Sequence, residues 1–343
     1  MLTVRAKAPL RLGLAGGGTD VSPYCDDHGG CVLNVTIDRS AIASIALRDD
    51  GRLAFDAVDL GRTDECAATG ELPVDEGLAL HRAVYNRMIR QFHGGRPLPL
   101  TLTTHVDCPP GSGLGSSSAL VVAMVAAFRE VLGAPLGEYD TARLAFEIER
   151  RDLGLAGGRQ DQYAATFGGF NFIEFGAAER VIVNPLRVKA STANELEASL
   201  ALYYTGASRD SAAIIDTQIA DVAAGGRSLA AMHALKAEAI AMKDALLLGH
   251  VDQIAELIRR GWLAKKETSS AVTNPAIERA FEIAEAHGAL AGKVSGAGGG
   301  GFILFVVPPE QRLTLMRALA GTGVGSAEHC RFTHEGVSVW RVP

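Results

Sequence analysis

The sequence has no apolar run long enough to cross a bilayer; its longest, 118–128, is roughly half what a spanning helix needs. The opening residues, MLTVRAKAPLRL, lack the apolar core of a secretory leader. No CxxC pair occurs among Cys25, Cys31, Cys66, Cys108 and Cys330, and their number is odd, which argues against a disulfide framework or a zinc ribbon and for reduced thiols. Lys and Arg form no block: 33 are scattered among 39 Asp and Glu, for a net charge of -6, so there is no electrostatic footprint for nucleic acid or an anionic membrane. Repeats and low-complexity tracts are absent. The expectation is a globular cytoplasmic protein without nucleic-acid or membrane partners, in which any basic site is local.

What is present is glycine, gathered in three places: 13–18, 111–115 and 296–301. The central stretch, Pro109-Pro-Gly-Ser-Gly-Leu-Gly-Ser-Ser-Ser-Ala119, follows a strand-like segment (PLTLTTHV, 99–106) and runs into the apolar segment Leu120 to Phe128. Strand, glycine loop and helix N-terminus is an arrangement that binds phosphate. Gly111, Gly113 and Gly115 permit positive φ and close approach of backbone N–H groups, and the helix directs its positive end to the same point. It is not a Walker loop, since Gly115 is followed by three serines and not Lys-Ser/Thr, nor a dinucleotide fingerprint, which needs Gly at 116. The bland alternative is a glycine turn capped by serines.

In chain order the pattern predicts a strand over the first twelve residues, strands at 32–37, 41–47 and 53–58, and a helix at 77–92. Helices then follow at 120–132 and 138–153, with a short one after Gln160-Asp161-Gln162. The second half reads as a strand at 199–204, helices at about 210–223, 228–248, 250–267 and 275–287, and strands at 290–294 and 302–307. A helix at 309–320 and strands near 323–331 and 336–342 complete it. Strands flanking helices in both halves argue α+β with two lobes, 1–190 and 191–343. Glu147 and Glu149 are two apart, about 200° round a helix, so both cannot face one ligand.

The three glycine motifs together, Pro9-Leu-Arg-Leu-Gly-Leu-Ala-Gly-Gly-Gly-Thr-Asp20, the 109–119 stretch and Lys293-Val-Ser-Gly-Ala-Gly-Gly-Gly-Gly-Phe302, resemble the GHMP small-molecule kinases in order and position. AGGGTDVSPYCDDHGG and GGRQDQYAATFGGFNF resemble, within that family, the kinases of D-glycero-D-manno-heptose 7-phosphate. The resemblance implies an N-terminal lobe like ribosomal protein S5 domain 2, a ferredoxin-like C-terminal lobe, and ATP and Mg²⁺ between them. It implies that Pro110, Gly111, Ser112, Gly113, Leu114, Gly115, Ser116, Ser117 and Ser118 hold the ATP phosphates, and that Ser117 and Glu149 hold the metal. Asp161 would be the general base and Arg11 its partner, with Gly17, Gly18, Thr19 and Asp20 at the sugar. The implied acceptor is the anomeric hydroxyl of a heptose 7-phosphate; an octose 8-phosphate, fucose, a diphosphate decarboxylase or a non-catalytic ligand-binding relative stay open. An acceptor that already bears a phosphate needs a cation to meet it. Lys265, Lys266, Arg159 and Arg209 are the candidates, with no pattern to choose among them.

Overall fold

The computed structural model describes residues 3–207 and 211–342; Arg209 lies outside them. The first part of the chain runs β1 (Thr3–Ala15), α1 (Tyr24–His28), β2 (Gly30–Leu47), β3 (Arg52–Ala57), β4 (Arg62–Ala67), α2 (Ala79–Phe92), β5 (Leu100–Val106), α3 (Ser116–Leu132), α4 (Glu138–Glu147), α5 (Gln160–Phe167), β6 (Phe170–Phe175) and β7 (Val181–Pro185). The second part runs α6 (Ala190–Ala198), β8 (Leu200–Tyr204), α7 (Ser211–Ala223), α8 (Gly226–Leu248), α9 (Val251–Thr268), α10 (Pro275–Ala286), β9 (Ala291–Val294), β10 (Phe302–Val306), α11 (Pro309–Ala320), β11 (Ser326–Glu328) and β12 (Ser338–Val342).

The strands expected at 32–37 and 41–47 are one strand, β2. The polar Asp38-Arg39-Ser40 looks like a turn in sequence, but its backbone is paired from outside. Asp107 accepts from the Ser40 N–H and hydroxyl at 2.9 Å each, and the Asp38 N–H donates to the Arg331 carbonyl at 2.9 Å. The register shift between Pro9 and Arg11 of β1 absorbs the extra residues. The first half of β2 pairs with β6 and the second half with β5, so the sheet forks around it in the order β12-β1-β2-β5-β3-β4, with β6 and β7 on the branch.

Helix α3 lies against β1 and β2 with Val121, Val122, Met124, Val125 and Phe128 fully buried. At about 1.5–3 kcal/mol for each large side chain this burial fixes the helix, and with it the loop that precedes it. The second sheet, β11-β8-β10-β9, is antiparallel. Its side chains alternate as a two-faced sheet requires: Leu200, Leu202, Phe302, Leu304 and Val306 join the main core through α8 and α9, while Ala201, Tyr203, Ile303 and Phe305 pack under α10 and α11. The division expected at 190/191 does not separate the sheets cleanly, because β12 returns to the first sheet and pairs antiparallel with β1, Thr3 opposite Val342. Among the described residues no helix is long and apolar enough to cross a membrane.

Candidate active site

The end of β1, the loop before α3 and the loop between β9 and β10 converge on a cleft of about 490 Å³, whose further walls come from 149–161, α7 and Lys265 of α9. Backbone geometry builds the central loop as its glycines require: Gly111, Gly113 and Gly115 have φ of 68°, 78° and 75°. No side chain caps α3, whose N-cap is Gly115, so the serine-capped-turn reading fails. The N–H groups of the first helical turn, at Ser116, Ser117 and Ser118, lack intrahelical acceptors beside a cleft those residues line. Ser112 and Leu114 shape the loop from beneath: the Ser112 hydroxyl lies 3.1 Å from Cys108 Sγ, and Leu114 is in the core. Pro110 is exposed and has no N–H to offer an anion. The third glycine loop clamps the central one, through Phe302 N–H to the Ser112 carbonyl at 2.9 Å and the Ser295 hydroxyl to the Gly113 carbonyl at 2.8 Å.

Arg11 ties these parts to Asp161. Its Nη1 donates to the Gly113 carbonyl at 2.6 Å, while Nε and Nη2 reach Asp161 Oδ1 at 2.7 and 2.6 Å. The arginine side chain is 5% exposed and the aspartate 22%. Because both contacts fall on Oδ1, Oδ2 has no hydrogen bond among the described residues and is left to take a proton. Gly115 abuts this carboxylate, with the position of a Cβ only 3.2 Å from Asp161 Cγ.

Asp161 sits in the first turn of α5, and α5 is held from a distance. Asp20, 2% exposed, accepts at Oδ1 from Gly18 N–H and Gln160 Nε2, both at 3.1 Å, and at Oδ2 from the N–H groups of Arg159 and Gln160 at 3.0 and 3.1 Å. A carboxylate has about four acceptor positions, and all are taken. Asp20 thus lines the cleft expected to take the sugar while, in this structure, it caps α5 across 140 residues of chain. Thr19 is held in the same loop. It is fully buried, its hydroxyl bonded to the carbonyls of Gly16 and Cys31 at 2.8 Å each, so it staples its own loop. Gly18 lines the cleft, and Gly17 lines a small recess beneath it.

Ser117 and Glu149 meet, Oγ to Oε1 at 2.9 Å, and Gln162 Nε2 donates to Glu149 Oε2 at 2.5 Å. Glu149 is 1% exposed and has no cationic partner among the described residues. A buried carboxylate without a cation, beside a hydroxyl at a cleft, fits a hard divalent ion that keeps waters and phosphate oxygens as its other ligands. Glu147 points elsewhere, to Arg87 at 2.8 Å.

Of the three described cations considered for an acceptor phosphate, Lys265 is the one on the cleft. Arg159 is spent on Asp26 at 3.0 Å, and Lys266 lies outside, 3.6 Å from Glu278. Burial pushes the Lys265 ammonium down to about 8, against the opposing pull of Asp20. Lys293, bonded to the Gly13 carbonyl at 2.6 Å, is pushed down to about 7 by burial and then by Lys265 and Arg11. The spacing of the apolar residues Ile254, Leu257, Ile258 and Trp262 extends to position 265 and misses 266, a helical signal that separates the two lysines from sequence alone. Arg150, which lines the cleft and donates to the carbonyls of Leu155 and Ala156 at 3.3 Å each, and Gln218 went unnoticed in the sequence, as neither belongs to a motif.

Residues 79–169 match the GHMP kinases N terminal domain and residues 242–324 the GHMP kinases C terminal. The chain is 46% identical to the D-glycero-alpha-D-manno-heptose 7-phosphate kinase of Campylobacter jejuni, over the full length of both. It superposes with a TM-score of 0.84 on the structure of a D-glycero-D-manno-heptose 1-phosphate kinase from Bacteriodes thetaiotaomicron, at 44% identity and covering 99% of each chain. It shares the fold of Lactococcus lactis galactokinase, at 17% identity, a TM-score of 0.75 and coverage of 98% of this chain and 95% of that one. The cleft, its three glycine loops and these full-length likenesses agree: the chain belongs to the GHMP kinase family.

Proposed function

We propose that the protein transfers the γ-phosphoryl group of ATP to the anomeric hydroxyl of D-glycero-D-manno-heptose 7-phosphate, giving the 1,7-bisphosphate. The observation that carries this reading is the Arg11–Asp161 pair: a carboxylate anchored through one oxygen, its other oxygen turned loose beside a phosphate-binding loop. The full-length likeness to the Campylobacter jejuni enzyme supports the acceptor.

Phosphoryl transfer asks little covalent work of a protein, so positioning and charge dominate. The N–H groups at 111–118 receive the nucleotide phosphates. Ser117 and Glu149 would hold Mg²⁺, which when bound would neutralise charge on those phosphates. Asp161 Oδ2 takes the proton from the anomeric oxygen as that oxygen attacks phosphorus in line with the departing ADP. An anomeric hydroxyl is more acidic than an ordinary alcohol, and a carboxylate suffices as its base. Arg11 keeps Oδ1 occupied and sets its charge near the transferring group.

The test is initial rates with Mg·ATP on heptose 7-phosphate, octose 8-phosphate, mannose, fucose and galactose, for the wild type and Asp161→Asn. The reading requires turnover confined to heptose 7-phosphate and a variant that still binds ATP yet loses most of kcat. Equal turnover on an unphosphorylated sugar, or an active Asp161→Asn, contradicts it.

A further inference from the structure

Lys265 is a buried ammonium, 6% exposed, that forms no ion pair among the described residues. Its contacts are two neutral oxygens, the Gly17 carbonyl at 3.2 Å and Gln218 Oε1 at 3.3 Å. An ammonium has three N–H donors, which leaves one unfilled; the nearby Asp20 attracts the charge without bonding to it, and a buried charge with no direct anionic partner is costly unless an anion joins it. The surroundings are arranged for it. Gly18, at φ +104°, keeps clear the space before the amine; a Cβ there would stand 3.0 Å from Nζ. Gln218 is itself held, donating to Thr268 Oγ1 at 3.3 Å and to the Ala297 carbonyl at 3.4 Å. The recess beneath is lined by two further cations, Arg11 and Lys293, and by Glu238, whose Oε1 is taken by Arg260 at 2.6 Å.

Asp161 and Lys265 line the cleft beside different loops. Asp161 abuts Gly115 on the side of the central loop; Lys265 stands at Gly17 and Gly18. We infer that Lys265 is the seat of the phosphate the acceptor already carries, on the Gly17–Gly18 side of the cleft, with Gln218 orienting its ammonium. The inference rests on the reading that the acceptor is a sugar phosphate. It also assigns a role to Gly18: absence of a side chain there is what admits the phosphate to the amine. Arg150, another cleft cation without a carboxylate partner among the described residues, is turned to the carbonyls of Leu155 and Ala156.

The experiment compares heptose 7-phosphate with unphosphorylated heptose as acceptors for the wild type, Lys265→Met, Lys265→Gln, Lys265→Arg and Arg150→Met, with cooperative thermal unfolding as the check on folding. Removing one partner of a desolvated charged contact costs on the order of 10²-fold. Lys265→Met and Lys265→Gln are expected to raise KM for heptose 7-phosphate by about that factor, with kcat within about threefold. The ratio of kcat/KM between the two acceptors should fall by the same factor, Lys265→Arg should keep most of it, and Arg150→Met should keep it all. A ratio unchanged in the uncharged variants, a loss equal for both acceptors, or a ratio lost in Arg150→Met overturns the assignment while heptose 7-phosphate turnover stands. Should the wild type act instead on another sugar phosphate with the same dependence on Lys265, the acceptor is revised and the subsite holds. If it uses only unphosphorylated sugars, both fall.

Discussion

Replacing Asp20 by Ala separates two roles that a cleft-lining carboxylate can have. In the structure it accepts four hydrogen bonds, two of them from the N–H groups that open α5, the helix carrying Asp161. Removing it leaves those N–H groups to whatever water the cleft admits. A lost cap costs about 0.5–2 kcal/mol and hydrogen bonds to a charged group about 1.5–3 each, so a total of about 3 kcal/mol is expected, partial rehydration included. For a chain of 343 residues that lowers Tm by roughly 4 °C. Misplacing a reacting group by about 1 Å costs about 10²-fold. Calorimetry and steady-state kinetics should therefore show Asp20→Ala less stable and slower in kcat by that order, with KM for the sugar within about threefold. A variant that melts with the wild type and differs only in a raised sugar KM would refute the capping argument and return Asp20 to the substrate.

Glu149→Gln is expected to raise the Mg²⁺ concentration for half-maximal rate at least tenfold and Glu147→Gln to leave it within twofold, since only Glu149 meets Ser117; equal effects in a magnesium titration would deny the metal role. Gly115→Ala places a Cβ 3.2 Å from Asp161 Cγ at φ 75°, and should cost about 1–2 kcal/mol in urea unfolding and at least tenfold in kcat. His81, hydrogen-bonded to Thr104 at 2.8 Å, is pushed down to about 4 by burial. Its folded value lies below the unfolded one of about 6.5, so the stability it contributes is complete above pH 6.5 and is lost as pH falls toward 4. Urea unfolding should show about 2 kcal/mol lost from this group at pH 5 relative to pH 8, and a smaller loss in His81→Gln.

What was legible in the sequence was local. Three glycines in one loop announce positive φ whatever surrounds them, and the apolar segment after Ser118 announces a buried helix; both stand in the structure as read. The two-residue spacing of Glu147 and Glu149 likewise sends them to different partners. What was not legible depends on pairing across distance. Strand β4, RTDECA, is exposed along most of its length and has no apolar alternation to betray it. The continuity of β2 depends on Asp107 and Arg331, far along the chain. The hydrogen bonds of Asp20 and Thr19 depend on which groups reach them, a matter of tertiary geometry: a Gly-Gly-Gly-Thr-Asp run does not reveal that its carboxylate also meets the N-terminus of a helix 140 residues on.

Two full-length relatives carry names that differ in the carbon bearing phosphate, 7 in one and 1 in the other, and either acceptor would lead to the same bisphosphate. The decisive measurement is phosphorus NMR of the reaction with Mg·ATP when heptose 7-phosphate and heptose 1-phosphate are offered separately. The account requires the 7-phosphate alone to be consumed, with a new phosphorus signal coupled to the anomeric proton and absent with Asp161→Asn. Consumption of the 1-phosphate, with new phosphate on C7, would contradict the assignment of Asp161 as base toward an anomeric hydroxyl.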